Sequence, residues 1–141
     1  MGFLWPLFLI IASNVVYNIT TKSTPHSVNP FLSVTITYCM GAVVSLLIYS
    51  VTSPNHHVIA NIRSLNWTSY LLGLAIVGLE VGYIYLYRAG WDISVGSLVA
   101  NISLAVILLV IGALFYKDQI HAKQIAGMVL CLAGLILINL K

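Results

Sequence analysis

The sequence predicts an all-α integral membrane protein, a bundle of five transmembrane helices, and three observations predict it. Of 141 residues, 60% are hydrophobic and 6% charged, with a mean hydropathy of +1.02; soluble domains carry about 25% charged residues. Apolar stretches recur at about 3–21, 31–51, 68–88, 95–116 and 123–140. Each approaches the roughly 20 residues that cross a hydrocarbon layer about 30 Å thick. Between them lie short polar segments rich in Pro, Asn, Ser and Gly, the residues that interrupt helices. The five spans are expected to form one transmembrane domain over residues 1–141.

The first span opens with Trp5 and Pro6, an interfacial aromatic and a proline in the early turn where its missing N–H costs nothing. Its second half is amphipathic. Asn14, Tyr17, Asn18 and Thr21 recur at helical spacing and make a polar stripe. That stripe must face protein or water, either as hydrogen bonding between helices or as the lining of a pathway. Residues 23–30, with two prolines, form a turn. The second span carries Thr37, Tyr38, Gly41 and Ser45 on a small, mildly polar face suited to close packing. Residues 53–66 form the longest connection, an aqueous loop. The third span is followed by the turn from Arg88 to Ser94. In the fourth, Ser97 and Asn101 are the notable polar pair; Asn101 either joins helices or lines a site. The fifth places Gly127 and Gly134 on one face, and the third holds the pair Gly78 and Gly82. Both pairs offer faces where backbones can approach closely, and both are expected at a dimer contact.

Glu80 is the residue that chemistry singles out. It is the one charged side chain between Arg63 and Arg88, far from either end of an apolar segment. An acid at the centre of a spanning helix costs roughly 2.5–3.5 kcal/mol on insertion scales, so it needs a partner or a task. Tyr83 and Tyr87, three and seven residues on, share its face. Either Glu80 is a structural acid hydrogen-bonded to a neighbouring helix, or it binds protons and cations; removal from water favours the neutral form of a carboxyl, which suits a group that loads and releases a proton. The second reading is preferred. The candidate proton- and substrate-binding set is Glu80, Tyr83, Tyr87, Asn14, Tyr17, Asn18 and Asn101.

Other function classes are set aside on composition and spacing. The net charge of +3 comes from six scattered Lys and Arg, with no basic patch to hold nucleic acid. His56 and His57 have no Cys, Asp or Glu in their loop to complete a metal site. Cys39 and Cys131 lie in apolar segments and read as small hydrophobes. No nucleophile–base pair or phosphate-cradling loop points to an enzyme, and no cofactor is expected. The N-terminus has neither a cationic leader region nor a small-residue cleavage pattern, so Phe3 onward reads as a span.

An odd number of spans divides the cations evenly. Arg63, Lys117 and Lys123 fall on the N-terminal side, Lys22, Arg88 and Lys141 on the other. Orientation normally follows an excess of Lys and Arg on the cytoplasmic side. Without that excess the chain is expected to insert both ways up and pair as an antiparallel homodimer, although the N-terminal amine and the histidines of one side act against it.

The segments "YRAGWDIS", "LLVIGALFYKD", "QIHAKQIAG" and "GMVLCLAGLILIN" resemble the end of an EamA-type repeat of the drug/metabolite transporter superfamily. Lys117-Asp118 departs from the Gly-Glu pair usual there. The glycines of the last span are also similar to the dimerising helix of small multidrug resistance proteins. The resemblance implies one five-helix repeat where most relatives carry two in inverted orientation, hence a need for a partner. It implies transport of small metabolites or drugs, including cations exchanged for protons on a membrane glutamate. In the smaller relatives that glutamate is on the first helix, where this chain has Asn14, so the role is not carried to Glu80 by motif. The expected function is a transporter of small organic molecules, cations among them, in the plasma membrane, with proton exchange through Glu80. The alternatives are a subunit of a lipid-linked substrate flippase and a non-transporting assembly partner.

Overall fold

The protein is described from a computed structural model that covers residues 4–53, 58–116 and 121–139. All the regular structure among these residues is helical: α1 (Trp5–Lys22), α2 (Pro30–Thr52), α3 (Val58–Arg63), α4 (Trp67–Arg88), α5 (Ile93–Ile111) and α6 (Ala122–Asn139). They fall into two compact units, residues 1–89 with α1 to α4 and residues 90–141 with α5 and α6.

Local chemistry sets the ends of the helices. Asn29 caps α2 through its side-chain oxygen, which accepts from Phe31 N–H at 2.9 Å, and Pro30 follows at the first position, where no N–H is needed. Asn66 caps α4 in the same way, accepting from Thr68 N–H at 3.0 Å. At the other end of α4, Gly90 takes φ +95°, a left-handed conformation that terminates helices and that glycine adopts without a Cβ clash. In the second unit, Gln124 reaches back one turn and its side-chain oxygen accepts from His121 N–H at 3.0 Å, capping α6.

In the first unit α4 packs against both α1 and α2, while α1 and α2 make no close backbone approach to each other. Val34, Ile84 and Tyr87 are its buried apolar residues, and Asn18 and Thr21 its buried polar ones. Most other large apolar side chains of the helices are exposed, among them Phe8, Met40, Leu74 and Leu98. So much exposed apolar surface suits lipid and not water. Trp5 and Trp67 open α1 and α4, while the C-terminal end of α4 is tied to the α1–α2 turn by Arg88. The Arg88 guanidinium donates to the carbonyls of Pro25 (2.8 Å) and Val28 (2.6 Å).

Among the described residues, three helices are long and apolar enough to cross a membrane: Pro30–Thr52, Trp67–Arg88 and Ile93–Tyr116. The expectation of five spans thus rests, for the other two, on weaker helices. α1 has 18 residues but its second half is polar, and the apolar part of α6 is the shorter run Ala122–Leu137. Three local details differ from the sequence expectation. The connection after α2 holds the six-residue helix α3, not loop alone. The fourth span starts at Ile93, two residues early, and its last turn, Gly112–Tyr116, is a π-helix. α1 runs from Trp5 to Lys22, shifted from 3–21. Pro54, His56, His57, Lys117, Asp118 and Lys141 lie outside the described residues.

Candidate functional site

One stripe of α4 faces its neighbours, because Glu80, Tyr83, Ile84 and Tyr87 stand at i, i+3, i+4 and i+7. The stripe also sets the depth of the acid. At about 1.5 Å per residue, Glu80 lies roughly 20 Å along the axis from Trp67 and 12 Å from Arg88, a few ångströms toward the Arg88 end from the middle of α4.

Below this stripe is a cavity of about 120 Å³. α1 contributes Tyr17, Thr20 and Thr21, and the turn after it Thr24; α2 contributes Ser33, Val34 and Thr37; α4 contributes Glu80 and Ile84. Its origin is the spacing of the helices: α4 touches both partners, while α1 and α2 make no close backbone approach to each other. Six of the nine lining residues carry a hydroxyl and one a carboxyl.

The aromatic rings stack beside it. Tyr17 and Tyr83 meet edge to face, centroids 5.5 Å apart at 87°, and Tyr83 lies 5.9 Å from Tyr87. Such pairs add roughly 0.5–1.5 kcal/mol beyond their buried area. The Tyr17 hydroxyl interacts with both Thr21 and Glu80 but makes no hydrogen bond of standard geometry, although it is buried. Tyr38 of α2 likewise has a buried hydroxyl with no hydrogen-bond partner and is electrostatically coupled to Glu80. The phenol of Tyr17 on α1 therefore meets the acid of α4 at the cavity.

Toward the end of α4, Tyr87 donates a short hydrogen bond to Asn18 Oδ1, and the Asn18 amide donates to the carbonyl of Asn14 at 2.8 Å. Lys22 places its ammonium 5.5 Å from the centroid of Tyr87, within cation–π range. This cluster fastens α1 to α4.

Of the residues singled out in the sequence, the structure brings Tyr17, Asn18, Glu80, Tyr83 and Tyr87 together. Only Tyr17 and Glu80 of these line the cavity; Asn18 is buried against Tyr87. The Asn14 residue is exposed. Asn101 belongs to the second unit, where its amide donates to Ser97 at 2.8 Å (carbonyl) and 3.2 Å (hydroxyl). Gly78, Gly82, Gly127 and Gly134 have nothing within 4 Å of where a Cβ would stand, so no other described part of the chain uses them for close approach. The sequence reading missed Thr20, Thr24 and Ser33 as lining residues and assigned Thr37, with Tyr38, to a packing face. The signal was present: continuing the polar stripe from Tyr17 by one turn leads to Thr20 and Thr21, and by a second turn to Thr24, just past the end of α1.

An all-helical protein with apolar spans and a polar cavity against an intramembrane acid has the parts of a transporter. Residues 2–140 match the model of the EamA-like transporter family. The chain belongs to that family. The match extends over nearly the whole chain, well beyond the C-terminal third where the motifs are densest, and membership makes the protein an integral membrane member of a transporter family. No curated protein and no solved structure shows significant similarity to the chain.

Proposed function

We propose that this EamA-like protein moves small organic cations across the plasma membrane in exchange for protons, and that the cavity against Glu80 is where both bind. The observation that carries the reading is the position of Glu80: it is the acid of a spanning helix, it lines a cavity, and the Tyr17 hydroxyl of α1 lines the same cavity and interacts with it. A lone carboxylate in this setting is costly, whereas the protonated acid and the carboxylate–cation pair are both neutral. Cation and proton therefore exclude each other: when the cation pairs with the carboxylate, the acid's proton leaves to water, and when the cation departs the proton returns. Either neutral state can be carried through an apolar medium.

Within the same proposal, a second copy in opposite orientation supplies the other half of the pathway. Three features support this. The cations divide three against three, the glycine pairs of α4 and α6 are not approached within the described chain, and large apolar faces are uncovered. Inverted repeats placed about an axis in the membrane plane are how many transporters build a site that opens to either side.

The test is proton release. Addition of a bound cation to weakly buffered purified protein should acidify the medium, and Glu80→Gln should abolish both that acidification and the pH dependence of binding. Undiminished pH-dependent cation binding by Glu80→Gln would refute the assignment.

A further inference from the structure

Three of the six hydroxyls that line the cavity, all of them on threonines, share an orientation in hydrogen-bonding terms. Thr20 donates its hydroxyl hydrogen to the carbonyls of Val16 (2.8 Å) and Tyr17 (3.0 Å), Thr24 donates to the carbonyl of Thr20 (3.3 Å), and Thr37 donates to the carbonyl of Ser33 (3.1 Å). A hydroxyl has one hydrogen and two lone pairs. With the hydrogen engaged by a backbone carbonyl three or four residues back, each of these threonines has only acceptor capacity left, and an ionised Glu80 is also an acceptor and nothing else. The wall of the cavity is thus rich in lone pairs on α1, α2 and α4 together.

We infer that the cavity takes a small protonated primary or secondary amine held through its N–H groups, and discriminates against a quaternary ammonium of equal size. The inference rests on the reading of Glu80 as the cation-binding group and adds the chemistry of the substrate to it. An ammonium with N–H bonds can donate to the carboxylate and to threonine oxygens at once. A quaternary ammonium offers only methyl groups, so it displaces water from these acceptors without replacing the hydrogen bonds, and unpaired polar groups are what give hydrogen-bonding sites their selectivity. Volume sets the size. An engineered cavity of about 150 Å³ accepts benzene, so 120 Å³ suits a ligand of about five or six heavy atoms.

Binding to purified full-length protein in lipid nanodiscs tests the inference with n-butylammonium, tetramethylammonium and butyrate, two cations of equal heavy-atom count and one anion. n-Butylammonium should bind at least tenfold more tightly than tetramethylammonium, butyrate should not bind, and Glu80→Gln should remove the binding of both cations. Thr37→Val and Thr20→Val should each lower the ratio of the two cation affinities about threefold or more; the ratio is taken on one preparation, so it does not depend on the folded fraction. Tetramethylammonium binding as tightly as n-butylammonium, with both lost in Glu80→Gln, would overturn the donor requirement and leave the carboxylate reading standing. Cation binding that survives Glu80→Gln, absence of cation binding, or preference for butyrate would overturn both.

Discussion

Replacing Tyr87 by Phe removes one oxygen atom, and its effect can be worked out from the groups around it. The hydroxyl donates to Asn18 Oδ1, and the Asn18 residue is only 6% exposed, so water cannot readily take over as donor. Side-chain hydrogen bonds between membrane helices average about 0.6 kcal/mol and reach about 1.7; a buried acceptor left unpaired costs about 1–3 kcal/mol. The phenyl ring keeps its contact with Tyr83 and remains under the Lys22 ammonium. The expected destabilisation is therefore about 1–2 kcal/mol. Asn18→Leu should cost a similar amount, because it leaves the Tyr87 hydroxyl unpaired. The double variant, with neither group left alone, should be less destabilised than the sum by about 0.6–1.7 kcal/mol, the range of such bonds. Reversible unfolding in mixed micelles measures all four corners of the cycle. Additivity within about 0.5 kcal/mol, the behaviour of independent sites, would show that Tyr87 and Asn18 do not hold α4 to α1.

Three further outcomes are expected. Arg88→Ala removes charge-assisted hydrogen bonds to Pro25 and Val28 and should raise hydrogen exchange across residues 23–29, with Arg88→Lys restoring less than half of the protection, since an ammonium lacks the forked donor geometry of guanidinium. Gly127→Leu and Gly134→Leu meet no atom of the described chain, so the helical content should stay unchanged while cross-linking between copies falls; unaltered cross-linking would exclude that face from the dimer. With cations balanced three against three, a C-terminal reporter should appear on both sides of the membrane, and two lysines added after Lys141 should move it to the cytoplasmic side in nearly all molecules. A reporter on one side only in the unmodified chain would refute dual insertion.

Much of the architecture was legible in the sequence because a bilayer imposes few choices on a chain. Backbone groups in lipid must bond within their own segment, so a run of about 20 apolar residues becomes a helix wherever its neighbours are. Asn29, Asn66 and Gly90 mark helix ends by chemistry acting over three or four residues, and the structure uses each of them. The same locality made Glu80, Tyr83 and Tyr87 recognisable as one face, and Ser97 with Asn101 as a pair. The weaker helices were harder, since α1 mixes an apolar half with a polar one.

What the sequence by itself determined, then, is which residues share a helix face; what only the tertiary structure decided is what that face meets. Asn14, Tyr17, Asn18 and Thr21 form one stripe on paper, yet Asn18 bonds Tyr87, Tyr17 lines the cavity beside Glu80, and Asn14 is exposed. Thr37 and Ser33 belong to the cavity because α2 leaves a gap beside α1, a fact absent from either helix alone. A threonine in an apolar helix can satisfy its hydroxyl on a carbonyl one turn back in its own chain, as Thr20 and Thr37 do, and so carries no outward sign of a role. Helical periodicity is a property of covalent geometry and is written in residue order, whereas the rotation of one helix against another is set by packing among side chains distant in sequence, and it is that rotation which turns ordinary threonines into the wall of a site.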